Sequence, residues 1–250
     1  MIKNVTGMIW VFSLMLSLVT SKAERPKVDY SKWLGPDWKP RYDRYGVSVS
    51  NHICYLDIYM QFLCMPTVPG FLAKEGAKKI PFIGIICYTI GCIFVKRGGS
   101  KEERAHTLEL IKERQFLAEA GEYPPIHIYP EGSTTNGTAI LKFKKGAFAS
   151  LKAVKPFVTT YRSWRGNACF GTPIIEFIYA FFQMNAIVIH GLLRELPVFE
   201  PNEYFWKHHW QEGKEEKWEA FANAVREIIA ANSSDPSSPP DPVTGFGSQP

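Results

Sequence analysis

The order of elements along this 250-residue chain predicts an α/β fold, a central, mostly parallel sheet flanked by helices. Three observations lead there. Short apolar runs of strand length recur between Val47 and Leu192, bounded by Gly, Pro or polar residues. Stretches of helical length separate them, the clearest being Ser100 to Gly121. Parallel strands need crossovers of about a dozen residues or more, and helices supply them.

Val47 and Val49 alternate with Ser48 and Ser50, a short strand that delivers the chain to Asn51 and His52. Ile53 to Met65 is an apolar stretch long enough for a helix. Gly70 to Ala73 and Gly91 to Val95 read as strands, and the run Ile80 to Tyr88 between them is broken by Pro and Gly. In Ser100 to Gly121, the residues Ala105, Leu108, Ile111 and Leu117 share one face, and Lys101, Glu102, Glu109 and Lys112 lie mostly on the others. Ile126 to Tyr129 is a strand entering Pro130-Glu131-Gly132. Lys144 to Leu151 begins another helix, and Phe157 to Tyr161 and Ala186 to Leu192 are strands. Pro173 to Phe182 is apolar nearly all round apart from Glu176, and Trp218 to Ala231 is a C-terminal amphipathic helix.

These elements make one domain, residues 47–231, with appendages. Residues 1–24 carry the apolar run Met8 to Val19, with Lys3 before it and Lys22, Arg25 and Lys27 after it. A helix of that length spans about 18 Å, short of the roughly 30 Å hydrocarbon core. A retained membrane anchor, a cleaved signal ending near Ala23 and an organelle-targeting segment all fit it. Residues 25–46 are rich in Pro, Trp and Tyr and read as a connecting arm. Residues 232–250, built of Ser, Pro, Gly and Asp, predict a disordered tail.

Composition narrows the function classes. With 29 Lys and Arg against 24 Asp and Glu, the net charge of +5 is too mild to suggest nucleic-acid binding but suits a surface resting on anionic lipid. The five cysteines, Cys54, Cys64, Cys87, Cys92 and Cys169, lack C-x-x-C spacing and mostly sit in apolar runs. They read as buried free thiols, and no metal site is implied.

Three features can carry chemistry. Asn51-His52-Ile53-Cys54-Tyr55-Leu56-Asp57 places a His and an Asp about 140° apart on a regular helix. They meet only if His52 occupies the turn before the helix and Asp57 lies within it. The carboxylate then fixes the imidazole tautomer and raises its basicity. Taken by itself, the pair reads more simply as a surface His near a helix cap with an unrelated Asp. Pro130-Glu131-Gly132-Ser133-Thr134 ends a strand in a turn where Gly132 admits close backbone approach and free amides and hydroxyls suit an oxyanion or phosphate. A plain polar loop has the same pattern. Gly91 to Arg97 is a strand ending in Lys96 and Arg97, a phosphate clamp or a solvated strand end.

In this order the features resemble the glycerolipid acyltransferase family that uses acyl donors on coenzyme A. Asn51, His52 and Asp57 match its first block. Gly70 to Ala73 with Phe94 to Arg97 match the second, Pro130 to Thr134 the third, and Lys155-Pro156-Phe157-Val158 the fourth. Thr135-Asn136 and Phe143-Lys144-Lys145-Gly146-Ala147-Phe148 resemble the lysophosphatidylcholine acyltransferase subgroup, as does Leu196 to Phe199 with Pro201. The lysophosphatidic acid branch carries an Arg soon after its Pro-Glu-Gly-Thr, where this chain has Thr134, Thr135 and Asn136.

The resemblance covers roughly Gly35 to Ala231 and implies an acyltransferase fold. It implies acyl-CoA as co-substrate, no permanently bound cofactor, and a lysophospholipid acceptor, lysophosphatidylcholine-like rather than lysophosphatidic acid. His52 is then the general base and Asp57 its orienting partner. Asn51, Arg97, Glu131, Gly132, Ser133 and Thr134 form the substrate-binding set. Membrane lipids are the expected partners, at the endoplasmic reticulum or mitochondrion, with the catalytic face on one leaflet. The rival reading is a retired acyltransferase fold, a lipid-binding subunit of a larger membrane assembly.

Overall fold

The computed structural model describes residues 19–54, 56–79, 83–96, 98–135, 137, 139–163 and 189–233. Among the described residues there are seven strands, β1 (Val19–Glu24), β2 (Val47–Ser50), β3 (Gly70–Lys74), β4 (Ile93–Val95), β5 (Ile126–Ile128), β6 (Val154–Ser163) and β7 (Ile189–Glu195). They form one sheet in the order β1-β7-β6-β2-β5-β3-β4. Every pairing is parallel except β6 with β7. The helices are α1 (Ser31–Leu34), α2 (Leu56–Cys64), α3 (Ile83–Thr89), α4 (Lys101–Glu119), α5 (Glu203–His209) and α6 (Lys217–Ala231). The expected mostly parallel sheet with flanking helices is what the chain forms.

Strand alternation divides the core in two. Val47 and Val49 of β2, Ile126 and Ile128 of β5, and Val154 and Val158 of β6 join one cluster with Ile111 of α4 and Phe221, Val225 and Ile229 of α6. Phe199 packs on Phe221 at 5.6 Å and on Phe205 at 5.5 Å, contacts worth about 0.5–1.5 kcal/mol each beyond area burial. On the opposite face Phe157 and Leu193 meet Met60 of α2. That face also carries Ser48, Ser50 and His127, all fully buried. A sequence pattern of Val alternating with Ser normally marks one solvated face; here α2 covers it.

Several local expectations are corrected. Lys144 to Leu151 forms only the 3₁₀ turn Lys145–Ala147, because Lys144 is extended and Leu151 sits at φ 57, outside the helical region. The described part of the Pro- and Gly-broken run forms α3, Ile83–Thr89. Gly91, at φ 69, turns the chain, so β4 begins only at Ile93. The face of α4 is rotated from the predicted one: Ile111 and Gln115 are buried while Ala105 is exposed. Gln115 is tolerated there because its amide donates to Ala153 O at 3.1 Å and its Oε1 accepts from Ser150.

The expected anchor 1–24 ends in β1, an edge strand whose Glu24 accepts from Arg194 at 2.7 Å. The rest of that segment, the apolar run Pro173 to Phe182, Cys169 and the tail from residue 234 lie outside the described residues. Residues 25–46 are more than a connector: Tyr30 is fully buried and its hydroxyl donates to Pro197 O at 3.1 Å. Lys155, inside β6, is buried against Glu195 and donates to Tyr42 O at 2.5 Å; Glu195 also takes Arg25 at 2.7 Å. Burial lowers the Lys155 pKa, opposed by Glu195. Among the described residues no helix is long and apolar enough to cross a membrane.

Candidate active site

The site lies where β2 and β5 end, beyond the carboxyl edge of the parallel strands, the usual location in open α/β sheets. β2 runs out at Ser50, and Asn51 locks that end in place. Its Nδ2 donates to Thr159 O at 2.8 Å and its Oδ1 accepts from Thr159 N–H at 2.9 Å. Asn51 was expected to bind substrate. Buried and bonded twice to the backbone of β6, its side chain fixes the point from which His52 projects.

His52 sits in the turn before α2, and Asp57 is the second residue of that helix. His52 Nδ1 and Asp57 Oδ2 are 2.7 Å apart. The same Oδ2 accepts the backbone N–H groups of Ile53 at 2.6 Å and Cys54 at 3.1 Å. Asp57 Oδ1 accepts the Tyr161 hydroxyl at 2.8 Å. Asp57 is fully buried, and four donors converge on its two oxygens, so the buried carboxyl group is fully hydrogen-bonded. Burial and then the Asp57 charge push the Tyr161 phenol well above its ordinary pKa, so it remains a neutral donor.

Glu131 closes the site from the other strand. Its Oε1 accepts the His52 backbone N–H at 2.8 Å and its Oε2 accepts Leu141 N–H at 2.9 Å. Burial raises the Glu131 pKa against the pull of those amides. Expected at the substrate, it is nearly buried and spends both oxygens clamping the dyad turn to its own loop. Thr135 N–H completes the clamp on His52 O at 2.9 Å. Gly132 takes φ 76, a conformation that favours glycine, and Ser133 and Thr134 are exposed on the same loop. Arg97 lies outside the described residues.

The His52 ring stacks on Tyr129, with centroids 3.9 Å apart and planes 16° from parallel. Beneath it runs a buried polar chain that local sequence patterns did not suggest. The Tyr129 hydroxyl donates to Gln61 Oε1 at 3.3 Å, and Gln61 Nε2 reaches Ser50 Oγ at 3.1 Å and His127 Nε2 at 3.2 Å. Ser48 Oγ lies 2.9 Å from His127 Nδ1. Ser50 Oγ also lies 3.0 Å from His127 Nε2, so both ring nitrogens have buried polar partners. Burial, then the charge of His52, drops the His127 pKa to about 3, so it is neutral at ordinary pH.

His52 Nε2 has no protein partner among the described residues, and the side chain is 19% exposed. An imidazole held through Nδ1 by a buried carboxylate, with Nε2 open, is the arrangement of a general base.

With this geometry in place, the comparisons with known proteins define the class. Residues 35–175 match the family described as Acyltransferase, and the chain belongs to that family. It is 32% identical over 189 residues to "Lysophospholipid acyltransferase LPEAT1" of Arabidopsis thaliana, covering 75% of this chain and 44% of that protein. It is 28% identical over 195 residues to "Lysophosphatidylcholine acyltransferase 1" of Danio rerio, covering 74% of this chain and 33% of that protein. The chain thus spans less than half the length of these relatives. The crystal structure of the 1-acyl-sn-glycerophosphate acyltransferase PlsC from Thermotoga maritima shares the fold, with a TM-score of 0.51 at 16% identity over 87% of this chain and 72% of that one.

Proposed function

We propose that this protein transfers an acyl group from acyl-CoA to the free hydroxyl of a lysophospholipid, with His52 as general base. The observation that carries the reading is the 2.7 Å contact from Nδ1 of His52 to a fully buried Asp57, with Nε2 left open. His52 Nε2 takes the proton of the acceptor hydroxyl as its oxygen attacks the thioester carbonyl carbon. A C–O bond forms, and the carbonyl electrons move onto oxygen to give a tetrahedral oxyanion. That intermediate collapses with cleavage of the C–S bond, and the imidazolium returns its proton to the departing thiolate. The products are a diacyl phospholipid and free coenzyme A. Because the hydroxyl attacks directly, no acyl-enzyme is needed, and Ser133 need not be a nucleophile.

The relatives' names favour a lysophospholipid acceptor over a retired fold. Exposed apolar residues support work at a bilayer: Ile58 and Leu63 on the dyad helix α2, and Ile85, Ile86 and Tyr88 on α3. Arg97 remains a proposed phosphate ligand. The test is an acceptor screen with labelled acyl-CoA on purified protein and its His52→Ala variant. Transfer to a lysophospholipid that His52→Ala abolishes, with thermal stability retained, is expected. Full activity in the variant would sink the mechanism, and a wild-type protein inert with every acceptor would favour the structural-subunit reading.

A further inference from the structure

Three lysines follow the Pro130-Glu131-Gly132 loop, and two of them are engaged. Lys142 Nζ lies 3.2 Å from Glu219 and Lys145 Nζ lies 2.8 Å from Glu216. The ammonium of Lys144 has neither ion pair nor hydrogen bond among the described residues, and the side chain is exposed. The Lys144 backbone is held to the loop. The Lys144 backbone N–H donates to Pro130 O at 2.8 Å, which ties it to the first residue of the loop. Its side chain then runs back over Gly132. A β-carbon at Gly132 would overlap Lys144 Nζ and lie 2.8 and 3.0 Å from Cε and Cδ. In this rotamer the lysine stem lies along the loop backbone at Gly132.

The loop so marked is the one bound to the dyad turn, through Glu131 to His52 N–H and through Thr135 N–H to His52 O. We propose that Lys144 is the acceptor-phosphate ligand, holding the phosphodiester of the lysophospholipid with the Ser133 and Thr134 hydroxyls offered to the same oxygens. This deepens the acyltransferase reading and depends on it. A single ammonium is a point charge matched to the one negative charge of a phosphodiester. A phosphomonoester is better served by the two-pronged guanidinium, and Gly132 to Leu141 contains no Arg. The residue therefore selects diester lysolipids over lysophosphatidic acid. The rival source of the same anion is the phosphates of acyl-CoA.

Initial rates of the full chain separate the two. Lysophosphatidylcholine is varied at saturating acyl-CoA, then the reverse, for wild type, Lys144→Ala and Lys144→Arg. Loss of one solvent-accessible charge-assisted bond should raise the acceptor KM about tenfold in Lys144→Ala, with kcat and the acyl-CoA KM within about twofold. Lys144→Arg should recover most of the loss. A rise confined to the acyl-CoA KM assigns the cation to the carrier and overturns the proposal; unchanged constants, or a fall in kcat alone, overturn it too. Should Lys144→Ala misfold, calorimetric binding of glycerophosphocholine to wild type and Lys144→Gln replaces it. A tenfold weakening is expected, and equal binding refutes the site. An inactive wild type that still binds glycerophosphocholine through Lys144 would refute the enzymatic reading alone; one that binds none would refute both.

Discussion

Replacing Asp57 by Asn tests whether the carboxylate acts mainly as a charge or mainly as an orienting group. The two oxygens are not equivalent. Oδ2 receives three N–H donors, from His52 Nδ1, Ile53 and Cys54 at 2.7, 2.6 and 3.1 Å, whereas Oδ1 receives only the Tyr161 hydroxyl at 2.8 Å. An amide NH₂ at the Oδ2 position would face three donors with nothing to accept. The carboxamide oxygen must therefore take that position, and its NH₂ must face the Tyr161 oxygen, which has lone pairs to receive it. The His52 tautomer with a proton on Nδ1 survives, and only the negative charge is lost. A unit charge about 4 Å from the imidazolium centre at an effective dielectric near 20 contributes about 4 kcal/mol, and the remaining amide dipole keeps part of that. Turnover should fall on the order of 10²- to 10³-fold, less than the roughly 10⁴-fold loss that follows when such a substitution inverts the tautomer. Steady-state kcat at saturating acyl-CoA, with thermal unfolding run in parallel, measures it. A loss of 10⁴-fold or more in a folded variant would refute the orientation argument, and an unchanged kcat would refute the dyad.

Two further outcomes follow from the same geometry. His127 binds its proton only near pH 3 when folded but near 6.5 when unfolded, so the unfolded state takes up the extra proton as pH falls. Its contribution to stability is complete above pH 6.5 and is lost from there down toward pH 3, by up to about 1.4 kcal/mol per pH unit. Urea midpoints between pH 7 and 5 should therefore fall more steeply for wild type than for His127→Gln, and parallel curves would contradict it. For membrane attachment the informative truncation removes residues 1–18, because deletion through residue 24 would also strip β1 and the Glu24–Arg194 pair. With Ile85, Ile86 and Tyr88 still exposed on α3, membrane association should weaken but persist in fractionation; complete release would make the N-terminal segment the sole anchor.

What was legible in the sequence was what is local in the chain. The dyad spans five residues, so its spacing and the turn it requires could be read directly, and the helix start that brings Asp57 back to His52 is built from neighbouring amides. Strand alternation at Val47 to Ser50 and Ile126 to Ile128 likewise follows from side chains pointing to opposite faces of a pleated strand. Sequence by itself thus determined the fold class, the dyad, the Pro-Glu-Gly loop and the family. Sheet register decided the rest, because it joins residues that no local pattern connects. Tyr161 reaches Asp57 across 104 positions, Thr159 meets Asn51 across 108, and Glu131 meets the His52 amide across 79. Those pairings tie the side chains of Asn51 and Glu131 to backbone groups of the dyad turn and its neighbours, and put a neutral histidine under the polar face of β2. Lys144 shows the same division at its smallest scale. Its sequence neighbours carry the same charge, and only the distant partners Glu219 and Glu216 decide which lysines are already paired and which one remains open to an anion.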